Sequence, residues 1–100
     1  MSIAEFRENG VRLRVARAMI RRDLQHRQRA IPDVISDPPE CLHDVLLFDV
    51  LLMAPGIGPA RLAKLNEAAI QHGVNLAKTA GGASASDRRW LAVKLAARAL

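Results

Sequence analysis

A short glycine-rich segment, Pro55-Gly56-Ile57-Gly58, separates two stretches of helix-forming residues in this chain. Glycine adopts positive φ angles without strain and lets another backbone approach closely, while Ile57 between the two glycines can pack into the core. The amides of residues 56–58 would then converge at the positive end of the following helix, an arrangement that binds anions. Such amides recognise phosphate and do not distinguish bases. The segment therefore predicts a phosphate-binding hairpin, with an ordinary tight turn between two helices as the alternative.

Four cations lie where they could flank the same ligand. Arg61 and Lys64 are three residues apart on the helix that follows the hairpin, and Arg88 and Arg89 fall in the first turn of the last helix. The amino-terminal end of a helix carries a partial positive charge and normally favours acidic side chains. Cations at two such ends are expected where a polyanion binds, so these four residues and the hairpin form a predicted nucleic-acid site.

The distribution of charge indicates the same class of partner. The net charge is +5 and the isoelectric point is near 10.7, yet residues 31–60 contain five acids and no Lys or Arg. The segments on both sides are basic, which predicts two basic surfaces that attract polyanions. Secondary contacts to nucleic acid are predicted for Arg14, Arg17, Arg21 and Lys78. The alternative is that the arginines of residues 1–30 only form a solvated helix face.

Helices must position these cations, because helix formers dominate and strand-like alternation never persists. The sequence predicts an all-α fold with an arginine-rich amino-terminal helix in residues 1–31 and a helical DNA-binding domain in residues 32–100. The first helix is expected from about Ile3 to Arg29, with a kink or fraying near Gly10. Its apolar stripe follows a 3.6-residue period and consists of Ile3, Phe6, Leu13, Ile20 and Leu24.

Local signals predict where the other three helices begin and end. Asp37-Pro38-Pro39-Glu40 is typical of a helix start, and the apolar run to Met53 predicts a long central helix, with a possible break at His43 or Asp44. Pro59 predicts the start of a third helix and Gly73 its end. Residues 74–83 are expected to form a loop. Ser84 is expected to cap the last helix together with Asp87. The residues expected to pack this helix against the core are Trp90, Leu91, Leu95 and Leu100.

Several classes of function find no support in the sequence. No apolar run approaches the ~20 residues of a membrane helix, and the first segment, with arginines throughout and no apolar core, is not expected to be a secretory signal. The single cysteine, Cys41, fits a reducing cytoplasm, and Cys41 with His43 does not make a zinc site. Asp49 is expected to pair with an arginine of the first helix. No catalytic set or phosphate-binding loop is visible, so no enzyme, cofactor, metal or small-molecule substrate is predicted.

Taken together, the segment from about Val34 to Leu95 resembles the actinobacterial type of integration host factor. The resemblance covers about two-thirds of the chain and rests on residues that stand in the family's order: Asp37-Pro38, Pro55-Gly56-Ile57-Gly58, Arg61, Gly73-Val74 and Arg88-Arg89-Trp90-Leu91. It implies a helix-two-turns-helix domain that binds duplex DNA without strong sequence preference and compacts or bends it. It also implies a cytoplasmic, nucleoid-associated protein that assists a recombinase or integrase.

This chain departs from the family's pattern near the hairpin. Pro59 stands where the family usually has lysine, so one backbone donor and one cation are missing. The helix from Pro59 to His72 is expected to be longer than its counterpart, and the loop at residues 77–81 is poorer in arginine. These differences suggest a divergent, phage-encoded relative rather than a host housekeeping copy. They also predict that the flanking arginines contribute more to binding than the hairpin does.

Two other functions remain open. Glycine hairpins of this kind also occur in a ribosomal small-subunit protein, so RNA binding is one alternative, although few aromatic residues are present to stack on single-stranded bases. The other is a protein-interaction adaptor, in which the apolar stripe of the first helix pairs with a partner or with itself.

Overall fold

A computed structural model describes residues 2–97 of the chain. This part contains five α-helices and no strand, which confirms the predicted all-α class. The helices are α1 (Ile3–Gln25), α2 (Ile31–Ser36), α3 (Leu47–Leu52), α4 (Pro59–His72) and α5 (Ala85–Ala96), with a 3₁₀ turn at Glu40–Leu42. No helix within residues 2–97 is both long enough and apolar enough to cross a bilayer.

Helix α1 begins with a reciprocal cap and ends in a left-handed turn. The Glu5 amide donates to the Ser2 hydroxyl at 3.2 Å, and the Ser2 amide donates to the Glu5 carboxylate at 3.3 Å. The helix continues through Gly10, so the kink expected there does not form. It ends at Gln25, four residues before the predicted end, because Arg27 takes a φ of 59° and the Gln28 amide turns back to the Asp23 carbonyl at 2.8 Å.

Among the described side chains of α1, the buried ones lie in its carboxyl-terminal part. Ile20 and Leu24 are buried, and the Arg17 guanidinium donates to the Cys41 carbonyl at 2.7 Å. Farther along the predicted apolar stripe, Leu13 is 38% exposed and Ile3 is 74% exposed. The Phe6 side chain, also assigned to this stripe, lies outside the described part. The amino-terminal half of α1 therefore extends away from the core.

The long central helix expected from Asp37 to Met53 is wrong. Asp37 follows the end of α2 rather than capping a new helix, and Pro39 is extended with a ψ of 148°. Only Leu47–Leu52 is α-helical in this stretch. The break expected at His43 or Asp44 is present, but residues 37–46 contain no α-helix at all, only the 3₁₀ turn at Glu40–Leu42.

Backbone pairing explains why residues 43–46 are not helical. The chain between His43 and Phe48 runs antiparallel to the loop at residues 76–81, with an isolated bridge between Leu46 and Thr79. Four hydrogen bonds join the two segments, at 2.9, 3.2, 2.8 and 3.0 Å: Leu47 N to Lys78 O, Phe48 N to Leu76 O, Ala80 N to Val45 O and Gly81 N to His43 O. These bonds satisfy amides and carbonyls that a helix would otherwise use.

The core collects buried side chains from every helix. Helix α3 lies at its centre, and α2 packs against α5. The fully buried large side chains are Ile35, Leu42, Leu47, Leu51, Leu65, Leu76 and Leu91, together with Val50. Asp49 points out of this core and is exposed in the first turn of α3. The ion pairs of the described residues join Glu8 to Arg12 and Asp23 to Arg29, so the pairing expected for Asp49 is not among them.

The predicted bounds of α4 and the start of α5 are confirmed. Pro59 is the first residue of α4, and Gly73 follows its last residue with a φ of 81°. The Ser84 hydroxyl accepts a hydrogen bond from the Asp87 amide at 3.1 Å, which caps α5. Leu91 and Leu95 are buried and Trp90 is half-buried, whereas Leu100, also assigned to the packing of this helix, lies outside the described residues.

Replacing Gly81 with alanine should destabilise the fold through the paired segments. An added Cβ would lie 2.9 Å from the His43 Cβ and 3.0 Å from its carbonyl oxygen, so two backbones must separate. We expect a loss of about 1–3 kcal/mol in the free energy of unfolding, measured by urea denaturation. Gly10→Ala is the control, because a Cβ at Gly10 meets nothing within 4 Å and should stabilise the helix slightly. Equal stabilities of the two variants would contradict this account.

Candidate nucleic-acid interface

The hairpin at residues 55–58 is a turn fixed to the core by one side chain. Ile57 is half-buried and packs against the core cluster, as the sequence predicts. Gly56 has a φ of 83°, whereas Gly58 has a φ of −96° that any residue can adopt. The Ile57 amide faces inward and donates to the Ala54 carbonyl at 3.5 Å. The three-amide nest expected from the sequence is therefore reduced to the amides of Gly56 and Gly58.

Helix α4 starts directly from the hairpin without a side-chain cap. Gly58 is its N-cap residue and offers no side chain, and Pro59 has no amide hydrogen. The first amides of a helix have no partner within the helix and need an acceptor from elsewhere. The remaining amides of this first turn are therefore donors to solvent or to a bound anion.

Arg61 and Lys64 extend this helix start with positive charge. Both side chains are exposed. The Arg61 guanidinium folds back over the turn and donates through Nη1 to the Gly56 carbonyl at 3.0 Å. This bond uses one of five guanidinium N–H groups and leaves others for a phosphate oxygen. Arg61 thus stabilises the turn and places its positive charge beside it. The sequence predicts that Arg61 lies near the hairpin, but not that it hydrogen-bonds the hairpin backbone.

Arg88 and Arg89, adjacent in the sequence, have different surroundings. Arg88 is half-buried, and its Nη1 donates to the Ser36 carbonyl at the end of α2, 2.9 Å away. Its Nε is buried and has no hydrogen-bond partner among the described residues. Arg89 is exposed. A cation at the carboxyl-terminal end of α2 is electrostatically favourable, so Arg88 has a structural reason for its position that the sequence did not reveal.

The hairpin and the two arginines of α5 lie at opposite ends of that helix. Pro55, Gly56 and Ile57 line a groove together with Leu95 and Ala96 at the carboxyl-terminal end of α5, whereas Arg89 is the fifth residue of this helix. At 1.5 Å per residue this separates them by roughly 10 Å along the helix. The structure therefore places the predicted site residues in two groups, with Arg61 and Lys64 beside the hairpin and Arg88 and Arg89 apart from it.

The residues predicted to make secondary contacts to nucleic acid differ in their exposure to solvent. Arg14 and Arg21 are exposed on α1, and Lys78 is exposed on the loop before α5. Arg17 is half-buried and holds α1 against the Cys41 carbonyl. Its guanidinium has a packing role, so the exposed cations of α1 are the ones placed to meet a ligand.

Sequence reasoning missed two arginines in the turn after α1. Arg27 and Arg29 line the same groove as Gly56 and Arg61, but the first helix was expected to include both. The end of α1 could not be located because the sequence has no glycine there, the residue that usually takes the left-handed conformation at a helix end. Here Arg27 takes that conformation.

A stacked pair of rings was also missed. His72 and Trp90 lie with ring centroids 5.0 Å apart and planes 16° from parallel, and the Lys94 ammonium is 5.8 Å from the Trp90 ring. The pair joins the end of α4 to α5. Within residues 2–97, no three His, Cys, Asp or Glu side chains come together as a metal site requires.

Comparison with protein-family models, curated proteins and solved structures finds no match to this chain. The resemblance to integration host factor therefore stays a prediction that rests on its motifs. The geometry of the hairpin and of the surrounding cations is the basis for assigning a function.

Replacing Gly56 with alanine should distort the hairpin. The φ of 83° at this position disfavours an L-residue by about 1–2 kcal/mol, and we expect a loss of that size in the free energy of unfolding, measured by urea denaturation. Gly58→Ser is the matched control, since its φ is unstrained and serine is a good N-cap. It should keep or raise stability. A Gly56→Ala variant as stable as Gly58→Ser would show that the left-handed turn is not required.

Proposed function

We propose that this protein binds duplex DNA through its phosphate backbone, without strong sequence preference, in a non-enzymatic architectural role. The observation that carries the proposal is the start of α4. Four of the five described helices have an acid in the first turn, namely Glu5, Asp33, Asp49 and Asp87, but α4 has none. It has instead an uncapped start with Arg61 in the first turn and Lys64 one turn on.

This arrangement is unfavourable unless an anion is present. The partial positive charge of a helix start and two cations repel one another, and no side-chain cap offsets that repulsion at Gly58. A phosphate would accept hydrogen bonds from the free amides and neutralise the guanidinium of Arg61. Duplex DNA supplies a continuous row of such groups, and the net charge of +5 favours its approach.

Arg89 provides a second contact in this proposal. Arg89 lies roughly 10 Å along the axis of α5 from the residues that contact the hairpin groove, a separation comparable with the groove widths of B-DNA, about 6 and 12 Å. The hairpin group would hold one phosphate run and Arg89 the neighbouring strand, or Arg89 would enter the minor groove. Arg14 and Arg21, both exposed on α1, would add contacts farther along the duplex.

The family assignment belongs to the same proposal. We assign the segment from α3 to α5 to a helix-two-turns-helix domain of the integration host factor type on the motifs of the sequence, although Asp37-Pro38 does not begin a helix. A member of that family would bend or compact DNA in the nucleoid, and would assist a recombinase or integrase. Pro59, which stands at the family's lysine position, supports a divergent, phage-encoded member in which Arg61 and Arg89 carry more of the binding.

Duplex binding should depend steeply on salt. Neutralising about four to six phosphates makes log K fall against log salt concentration with a slope near −4 to −5. The measurement is fluorescence anisotropy with a labelled duplex of mixed sequence, from 50 to 300 mM salt, with duplex RNA of the same sequence as competitor. Absence of salt-dependent binding would contradict the proposal, and preference for duplex RNA would favour the RNA-binding alternative.

Arg88 and Arg89 should separate stability from DNA binding. Arg89→Ala should leave the free energy of unfolding within about 0.5 kcal/mol of wild type and flatten the salt slope by about one unit. Arg88→Ala loses the bond to the Ser36 carbonyl and should cost about 1 kcal/mol of stability, with a smaller effect on the slope. Urea denaturation and anisotropy on both variants check this. The reverse pattern would assign Arg88 to the interface and Arg89 to the fold.

Exposed apolar side chains on α1 favour a second candidate, the protein-interaction adaptor. Val11 is 49% exposed, and Val15 and Met19 are each 54% exposed. These side chains recur at helical spacing on an exposed face of α1, where a partner helix could cover them. Sedimentation with and without DNA separates the two functions, because a salt-insensitive dimer that ignores DNA is expected only of the adaptor.

A further inference from the structure

The turn after α1 and the hairpin enclose an open groove of about 700 Å³. Arg27 and Arg29 lie on the wall formed by the turn, and Arg61 lies on the wall formed by the hairpin and α4. The residues that line the groove include these three arginines but only one acid, Asp33. Like charges gathered around one concave surface repel one another and attract an anion.

Arg27 is held in a backbone conformation that suits glycine. Its φ is 59°, and it is the only residue other than glycine with a positive φ in the described chain. The Arg27 amide donates to the Leu24 carbonyl at 3.2 Å and the Gln28 amide to the Asp23 carbonyl at 2.8 Å, the pattern of a helix end that normally has glycine at this place. Strained residues of this kind gather at functional sites, so an arginine here points to a use for its side chain.

The charges of the groove are only partly compensated within the protein. Arg29 pairs through Nε with the Asp23 carboxylate at 3.3 Å, and 46% of the Arg29 side chain remains exposed. Among the described residues, the Arg61 guanidinium donates only to the Gly56 carbonyl, which is neutral. Arg27 is exposed and belongs to neither ion pair of the described residues. The turn therefore presents at least one arginine whose charge has no acidic partner there.

We infer that this groove binds the phosphate backbone of DNA and continues the interface from Arg61 onto the turn after α1. The inference rests on the proposed function and extends it to Arg27 and Arg29. A chain of phosphates fits better than a single small anion because the cations lie on two walls of an open surface rather than around a closed cavity. The turn also joins α1 to the rest of the protein. A duplex in the groove would therefore lie at the carboxyl-terminal end of α1, which follows Arg21 in the chain.

The test is Arg27→Gly, a substitution that should separate binding from folding. Glycine suits the left-handed conformation, so the melting temperature should stay the same or rise. Removing one phosphate contact should weaken binding to a mixed-sequence duplex about three- to tenfold at 100 mM salt and flatten the salt slope by about one unit. Arg27→Asn repeats the test with another residue that tolerates positive φ.

Arg22→Gln is the matched control for the loss of one charge. Arg22 is exposed in the last turn of α1 and does not line the groove, so its replacement should change the slope by much less. Wild-type affinity and slope in both Arg27 variants, or a loss no larger than that of Arg22→Gln, overturn the inference. If those variants bind normally while Lys64→Ala and Arg89→Ala bind weakly, the proposed function stands and only the groove fails. A wild-type protein without salt-dependent duplex binding overturns both.

Discussion

The antiparallel backbone pairing between residues 43–48 and the loop at residues 76–81 is the constraint on which the other elements depend. It limits α3 to six residues and brings the loop after α4 against its start. It requires glycine at position 81, because the His43 backbone leaves no room for a side chain there. These bonds hold the loop between α4 and α5 against the start of α3.

The position of charged side chains in this protein is related to how the unpaired backbone groups at each helix end find hydrogen-bond partners. Helix α5 is capped by Ser84, α1 by Ser2 and Glu5, and the carbonyl of Ser36 at the end of α2 receives a hydrogen bond from Arg88. Helix α4 is the exception, with neither cap nor acid at its start. Arginines therefore fall into two kinds: some, such as Arg17 and Arg88, join elements of the fold, and others, such as Arg89, remain in solvent. The number of arginines alone does not separate these kinds.

Local signals in the sequence were sufficient for some elements and insufficient for others. Pro59 and Gly73 mark the ends of α4, and Ser84 marks the start of α5, because each acts within one turn of its own position. The long helix expected from Asp37 was wrong because residues 43–48 pair with residues 76–81, which are distant in the sequence. A turn between two helices at residues 55–58, with Arg61 beside it, was predictable. The contact of Arg88 with Ser36 and the left-handed Arg27 were not, since the first is long-range and the second contradicts residue preference.

Helix α1 is joined to the core through its last two turns, by Ile20, Leu24 and the Arg17 guanidinium. Before Arg17, none of the described side chains of α1 is buried. Its length can thus change by whole turns, about 5.4 Å each, without creating a cavity or exposing a buried side chain. The length of the exposed part of α1 is consequently independent of the packed core, and evolution or a protein engineer can change one without disturbing the other.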